Sequence, residues 1–530
     1  MHGRPTQQPS GESSPSHPNR WRILGVLVLA LLVTSIDHTI INVALPEMVS
    51  DLGASAAQLQ WIVAAYTVVF AGLLLTAGSF GDRFGRRRAL AAGLMTFMTG
   101  SVVSAIAGTT TMLIVGRGIM GLGGALIMPT TLSILVNSFG DPHGRGKAIA
   151  IWTAASGAGI ALGPIVGGTL MRNFSWSSVF WINVPLLAIA LAGTQHIVPD
   201  SRDPKATRLD PVGALLSIAM IGSLVYAIIE APRSGWTSTF TLMSLMVATM
   251  TGAMFIRSQL RRDEPMLDMR LFANRGFSAG SVALAMLFFA MAGTVFLQAQ
   301  YLQFILGYTP LLAGAALVPA ALGMILGSGA GAHLAGTVGG RIAVVTGTAL
   351  AAGGVAVQAA LIDGTSYTPT GVGLLLFGLG AGIAMPTATD LIMSTLPPAR
   401  AGVGSAVNDT VRELGGALGV AVIGSVAASL YASDLQGQLD GITGVPDNVR
   451  AALTDNVGAA LDISHRLTAN GAEIGTAARN AFVTSMSSSL WVGVGLAALA
   501  ALIAFVHLPK HTPTSDRHAV ATGTATGVRP

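Results

Sequence analysis

Apolar residues run through most of this chain in stretches of about 20, the length at which an α-helix crosses a ~30 Å hydrocarbon core. Short polar segments rich in Arg separate them. The runs predict helices near 22–44, 57–80, 89–108, 111–136, 147–171 and 179–198, then two more near 212–230 and 238–256. After a basic segment, six further runs fall near 278–303, 311–333, 341–362, 370–393, 403–430 and 481–507. The reading is fourteen spans.

Loop charge is an independent check, because Lys and Arg concentrate in the cytoplasmic loops of membrane proteins. Arg83, Arg86, Arg87, Arg88, Arg145, Lys147, Arg202, Lys205, Arg208, Arg257, Arg261, Arg262, Arg270, Arg275, Arg341 and Arg400 all fall in alternate loops. The other loops hold the isolated Arg172 and Arg233, and in the long 431–480 segment acids outnumber Arg. Both termini are therefore assigned to the cytoplasm. The polar residues 1–19, rich in Pro and Ser, read as a disordered cytoplasmic tail, and 508–530 as a second one. A cleaved signal peptide fits poorly, since the first run is long, contains Asp37 and lacks a small-x-small site.

Composition agrees with this pattern. Of 530 residues, 52% are hydrophobic and only 10% charged, which excludes a soluble globular chain. The net charge of +5 sits at helix ends, so it is a topology signal and implies no nucleic-acid partner. The absence of cysteine removes disulfides, thiolate metal sites and cysteine nucleophiles together. His38 and His333 have no partners at metal-ligand spacing. The 66 glycines are dispersed through the apolar runs, as close helix packing in a bilayer requires.

The chain also repeats itself. Gly121-Leu-Gly-Gly-Ala-Leu-Ile-Met-Pro129-Thr130 matches Gly378-Leu-Gly-Ala-Gly-Ile-Ala-Met-Pro386-Thr387, and Ala161-Leu162-Gly163 matches Ala417-Leu418-Gly419 in nearly the same register. Matched helices cross in the same direction, which makes the halves parallel repeats about an axis along the membrane normal. This divides the chain into a six-helix bundle at 20–198, a linker with two inserted helices at 199–275, and a second six-helix bundle at 276–507 that includes an extracytoplasmic loop at 431–480.

Four segments carry a specific resemblance. They are Asp37-His-Thr-Ile-Ile-Asn-Val-Ala-Leu-Pro46, Gly78-Ser-Phe-Gly-Asp-Arg-Phe-Gly-Arg-Arg-Arg88, Arg117 with its downstream glycines, and Gly157–Gly168 around Gly163-Pro164. With them the chain resembles the fourteen-helix drug:proton antiporter branch of the major facilitator superfamily, which includes quaternary-ammonium and multidrug exporters. The resemblance implies an all-α integral membrane protein with the major facilitator fold, two pseudo-symmetric six-helix bundles, and a multi-pass location in the cytoplasmic membrane. It further implies export of a drug or antibiotic by alternating access, driven by the proton gradient without a cofactor, by a chain acting as a monomer. In the loop, Gly78, Asp82, Arg83, Gly85, Arg86 and Arg87 would form a conformational switch that makes charge contacts between the halves. The second half places Gly336 opposite Asp82, so such contacts are one-sided. Gly157, Gly159, Gly163, Pro164, Gly167 and Gly168 would be the element by which the antiporter branch is recognised; physically they form a bare stripe for close packing.

Charges inside apolar runs are costly and usually functional. At ~1.5 Å per residue, Asp37 lies ~22 Å from the cytoplasmic face and Arg117 ~9 Å below the outer one, which is about the same depth. On facing helices they could form a pair that protonation of Asp37 releases; a permanent structural bridge is the alternative. The repeat maps Asp37 onto Thr294 and Arg117 onto Leu374, so the fold is duplicated and the charges are not. Glu413 falls ~15 Å deep, near midplane, where an acid could carry a second proton or attract a cationic drug. Asp409 and Arg412 on the same helix could instead pair locally, Arg412 with either acid. Asn42, Gln298, Tyr301 and Gln303, with Asp409 and Glu413, are candidates for the substrate path. Asp390 and Glu230 lie near helix ends, where water reaches them.

Enzymatic readings fail on spacing. Gly140-Asp-Pro-His-Gly-Arg-Gly146-Lys147-Ala148 has one residue too many and Ala where a phosphate-binding loop needs Ser or Thr. The nearest rivals are a related permease for a nutrient, lipid or siderophore, and a transport-dead membrane sensor.

Overall fold

The computed structural model describes residues 18–202, 209–396, 401–442, 445–467 and 470–509. The first seventeen residues, Lys205, Arg208, Arg400 and nearly all of the C-terminal tail lie outside the described residues. Thirteen helices among those described are long and apolar enough to cross a membrane. They coincide with thirteen of the fourteen runs; the exception is Arg86–Ala105 (α3), which opens on three arginines and is diluted by Thr, Ser and Gly. Packing explains how such a sequence stays helical here: α3 is held between Thr110–Ser138 (α4) and Asn183–Ile197 (α7).

Three further helices complete the first bundle: Arg20–Leu52 (α1), Ala56–Phe84 (α2) and Pro142–Met171 (α5), with Ser178–Trp181 (α6) leading into α7. In it α1 packs on α5 and α7, α4 takes α2 on one side and α3 on the other, and α3 also meets α7. The second bundle consists of Arg275–Gln300 (α10), Pro310–Ala315 and Val318–Val338 (α11 and α12), Gly340–Leu361 (α13), Thr368–Ser394 (α14), Ala401–Leu439 (α15) and Gly471–His507 (α18). Its pairings repeat the first: α10 on α15 and α18, α12 and α13 on α14, α13 on α18. The bundles are therefore pseudo-symmetric, as the internal repeat requires.

Helix starts follow their sequence. Ser55 and Gln58 form a reciprocal capping box at α2, Asp141 accepts from Gly144 N at 2.6 Å at the start of α5, and Thr109 accepts from Met112 N at 3.2 Å at α4. Each cap satisfies a backbone N–H that a helix in lipid cannot leave bare.

The two inserted helices, Pro211–Ser234 (α8) and Thr239–Arg261 (α9), lie beside the seam between the bundles. α8 rests on both α2 and α15, burying Ile221, Val225 and Ile229 against Ala64, Val68, Ala71, Ala417 and Ala421, and α9 rests on α8. The outer face of α9 leaves Phe240, Leu242, Met243, Met246, Met250 and Met254 exposed. A stripe this apolar is stable only where hydrocarbon is the solvent. At the basic end, buried Asp210 caps α8 through Gly213 N and binds Gln259 at 2.6 Å and Arg262 at 2.8 Å, fastening the pair together.

The segment 431–480 departs from expectation. It is largely helical: α15 continues to Leu439, α18 begins at Gly471, and between them lie Asp447–Asp455 (α16) and Val457–Arg466 (α17). Hydropathy ended the helices where lipid ends, whereas the backbone hydrogen bonds continue because these extensions pack on one another.

The bundles meet along α2 and α15 and close at the face opposite the arginine-rich loops. There α5 meets α11, with Gly168 against Leu311 and Gly314 against Pro164, and α1 meets the end of α10, with Gln303 Nε2 donating to Val43 O at 3.0 Å. Toward the basic face α12 packs on α13 and α14 and, among the described residues, makes no comparable contact with the first bundle. The molecule is closed on one side, while toward the other the contact between bundles narrows to the end of α2, where Leu75 packs with Phe277, Leu284, Ile392 and Val407.

Candidate functional site

Asp37 and Arg117 meet in the first bundle, with Arg117 Nη1 2.5 Å from Asp37 Oδ2 and side chains 1% and 0% exposed respectively. Each is bound again. Asn183 Nδ2 donates to the other Asp37 oxygen at 3.0 Å, and Arg117 Nε donates to Ile62 O at 3.1 Å. Asn183 also lies 3.1 Å from Ser101 Oγ, which in turn donates to Phe180 O at 2.8 Å. The guanidinium carbon stands 4.7 Å from the centroid of the Tyr66 ring, and His38 meets that ring edge-on at 5.9 Å. A charged pair is tolerable at this burial because both Asp37 oxygens and the Arg117 Nε and Nη1 have partners.

Glycines make the arrangement possible. A Cβ on Gly121 would run into the Tyr66 carbonyl, and one on Gly124 would lie 2.7 Å from the Tyr66 hydroxyl, so these residues downstream of Arg117 let α2 approach α4. On α5, Gly159, Gly163 and Gly167 face α1: added Cβ atoms would meet Ser35, Thr39 and Ile40. Thr39 Oγ1 donates across this contact to Ile160 O at 3.1 Å. The stripe thus fixes α1, and with it Asp37. Gly168 and Pro164 face the second bundle instead, and Gly157 faces open space.

Residues 27–420 match the family described as Major Facilitator Superfamily. The chain belongs to the Major Facilitator Superfamily. Among the similar proteins of this superfamily is the multidrug efflux pump LfrA of Mycolicibacterium smegmatis, 33% identical over 93% of this chain and 97% of its own. Another is the methyl viologen resistance protein SmvA of Salmonella typhimurium, 31% identical over 89% of this chain and 94% of its own. The fold is similar to that of a bacterial homolog of the human lysosomal transporter Spinster in an inward-facing, unoccupied conformation. The TM-score is 0.67 at 18% identity, with 94% of this chain and 99% of that one covered. A member of this superfamily is a multi-pass membrane transporter, which removes the enzymatic readings.

The facilitator loop at 78–88 is folded onto its own bundle. Arg86 holds Asp82 through Nη2 at 2.7 Å and Nε at 2.8 Å, Arg86 N donates to Ser201 O, and Arg88 reaches Asp200 at 3.9 Å. Gly85 turns the chain at φ 107°, and a Cβ there would lie 2.7 Å from Asp200 Oδ1. Gly81 lies against Thr130, Gly78 lies against Pro129, and Arg83 is exposed. Among the described residues this loop makes no ion pair with the second bundle; the contacts between halves that the resemblance implies belong to the outward-facing state.

In the second bundle Arg412 takes Asp409 at 3.5 Å and lies 4.5 Å over the Phe288 ring. Glu413 is left out of that pair, and its Oε2 is buried without a hydrogen-bond partner. Along α15, Ala417, Ala421 and Gly424 face α2 and Gly415 and Gly419 face α10; Glu413, one turn before Ala417, lies on the side toward α2. It lies within electrostatic range of Tyr66.

The remaining candidates separate. Gln303 crosses the seam to Val43, whereas Gln298 is fully buried inside the second bundle and hydrogen-bonded to Gln358, away from the seam. Tyr301 is likewise buried there, donating to Ser366 O at 3.4 Å. The Asn42 amide binds Thr39 O of its own helix at 3.4 Å. Gln298 and Tyr301 read as path residues because polarity late in a helix resembles a lining; direction around the helix is what separates the two. Reasoning from charge missed Asn183, Ser101 and Tyr66. Asn183 carried a signal, being a lone amide in the apolar stretch Phe180-Trp-Ile-Asn-Val184.

Proposed function

We propose that this chain is a proton-coupled antiporter that exports amphipathic, cationic drugs or an antibiotic across the cytoplasmic membrane, acting as a monomer with both termini in the cytoplasm. The basic loops support an orientation with the open side toward the cytoplasm, by the positive-inside rule. The names of its relatives support the substrate class; methyl viologen is itself a planar dication. Fourteen helices in a six, two and six arrangement remain the reading for the span count, with α3 as the fourteenth.

The observation that carries proton coupling is the pair of donors on Asp37. Both of its oxygens face N–H groups, from Arg117 and Asn183. A carboxylate fits two donors; a protonated acid loses an acceptor site and the Coulombic hold on Arg117. Proton binding at Asp37 therefore frees Arg117 and Tyr66, on α4 and α2, and α2 is the helix that runs along α15 at the seam. This is the two-state element a proton can bias. Glu413, with an unpartnered buried oxygen, supplies the charge that a cationic substrate would satisfy on the cytoplasmic-facing side. The Asp82–Arg86 pair would exchange for contacts between halves when that side closes.

The test is accumulation of a cationic dye in inside-out vesicles energised by an acid-inside pH gradient, together with the resistance profile of a sensitive host with and without an uncoupler. Gradient-dependent transport lost in Asp37→Asn supports the reading. Gradient-driven transport retained by that variant removes Asp37 from coupling, and unchanged susceptibility across cationic dyes and antibiotics removes drug export.

A further inference from the structure

The hairpin formed by α16 and α17 spans both bundles at the closed face. Its attachment to the second bundle is extensive. Tyr431 of α15 donates to Leu453 O at 3.1 Å, Arg450 binds Asp440 at 2.8 Å and Leu439 O at 3.0 Å, and α17 packs on α18, where a Cβ on Gly475 would lie 3.1 Å from Ser464 Oγ. Its attachment to the first bundle is small and local. Asn456, buried at the corner between the two helices, donates to Ala54 O at 3.2 Å in the turn joining α1 to α2, and its Oδ1 accepts from Ala459 N at 2.8 Å to cap α17. Beside it, Gly458 lies against Val49 of α1 and Phe304, with space for no Cβ: one would come within 2.9 Å of Val49 Cγ1. Beneath the hairpin a void is lined by Gln60 of α2, Gln300 of α10, Tyr431, Asp455, Asn456 and Ser485 of α18. The hairpin thus covers the place where the bundles must part if the closed face is to open.

We propose that the α16–α17 hairpin is a latch on the outer gate: it travels with the second bundle and undocks from Ala54 and Val49 each time the transporter opens to the outside. The asymmetry of its contacts sets which side lets go. On the first bundle there are one neutral hydrogen bond and the packing of α17 on α1 at Gly458. On the second there are an ion pair, carbonyl bonds and two helix contacts. The latch rests on alternating access between the bundles, and its readouts do not require the substrate to be a drug.

The chain has no cysteine of its own, so engineered pairs report cleanly. Ala54→Cys with Asn456→Cys, and separately Val49→Cys with Gly458→Cys, would staple the hairpin to the first bundle. Ser464→Cys with Gly475→Cys would staple it to the second. Under oxidant, the first two staples are expected to abolish transport, with recovery on reduction, while the third leaves transport intact. A second readout uses Gln60→Cys labelling by a membrane-impermeant maleimide added from outside. Labelling is expected to fall to background only in proteins stapled to the first bundle, and to rise in Gly458→Leu, where the side chain wedges the latch off. Full transport and labelling with the hairpin stapled to Ala54 or Val49 would overturn the proposal. So would loss caused by the 464–475 staple alone, or failure of both interbundle pairs to oxidise. If drug efflux is absent in all variants, including the unmodified chain, the labelling pattern still decides the latch while the drug-export reading fails by itself.

Discussion

Asp37 and Arg117 allow coupling and stability to be separated by charge. In Asp37→Asn the guanidinium remains, fully buried, with Ile62 O, the face of Tyr66 and at most a neutral amide oxygen in place of the carboxylate. Breaking one side of a buried pair costs roughly 3–5 kcal/mol, because the charge left behind is uncompensated. The Tyr66 contact, worth roughly 2 kcal/mol when desolvated, is already present and offers no new compensation. Arg117→Met should be milder: the carboxylate it leaves behind can take up a proton, whereas a guanidinium has no accessible neutral form. Combining Asp37→Asn with Arg117→Met removes both charges while Asn183 keeps an amide partner. Replacing a whole buried pair by neutral groups is often close to neutral in stability. The expected order of thermal stability in detergent is therefore wild type and double variant together, Arg117→Met below them, and Asp37→Asn lowest. The expected order of gradient-driven efflux differs, with the double variant folded and uncoupled. A double variant that restores both stability and proton-driven efflux would refute the coupling role and leave a structural bridge. A double variant as unstable as Asp37→Asn would refute the account of its cost.

Other outcomes follow from the packing. Gly163→Ala should destabilise by roughly 1–3 kcal/mol, since its Cβ meets Thr39 Oγ1 and the Ile36 carbonyl, while Gly157→Ala, facing open space, should leave the melting temperature unchanged; a thermal-shift comparison of the two checks this. Tyr66→Phe retains the ring under Arg117 and should keep transport, whereas Tyr66→Ala should lower both stability and efflux, by roughly 0.5–2 kcal/mol for the lost ring contact plus its cavity. Asp210→Asn should loosen the α8–α9 pair by roughly 1–3 kcal/mol through lost charge-assisted bonds to Arg262 and Gln259, read as faster proteolysis in the 262–275 segment. Outside the spans, the Asp363 carboxyl is held below its usual range by the N–H and hydroxyl of Thr365 and by Ser366 N. A depressed acid stabilises its turn above the ordinary carboxylate pKa and loses that effect as pH falls through the folded value. The protection of the Thr365 and Ser366 amides, measured against their intrinsic exchange rates, should therefore fall only in acid.

What the residues determined alone is whatever depends on a single helix and its solvent. Hydrocarbon requires long apolar runs, so thirteen of the spans and their charge-biased loops are legible without neighbours, as is the approach of Asp37 to Arg117, because depth follows from counting residues at fixed rise. The parallel repeat was equally legible, and the matching helix contacts of the two bundles follow from it. Tertiary structure decided what depends on direction around a helix or on partners far away in sequence. Gln298 and Gln303 differ by little more than a turn, yet one is sealed against Gln358 and the other reaches Val43. Arg412 chose Asp409 over Glu413, a choice between adjacent rotations on one helix face. The fate of α3 rested on its neighbours, since its own hydropathy falls short. Asn456 finds Ala54 some four hundred positions away, a contact that no local pattern encodes and that only the closure of two bundles brings about.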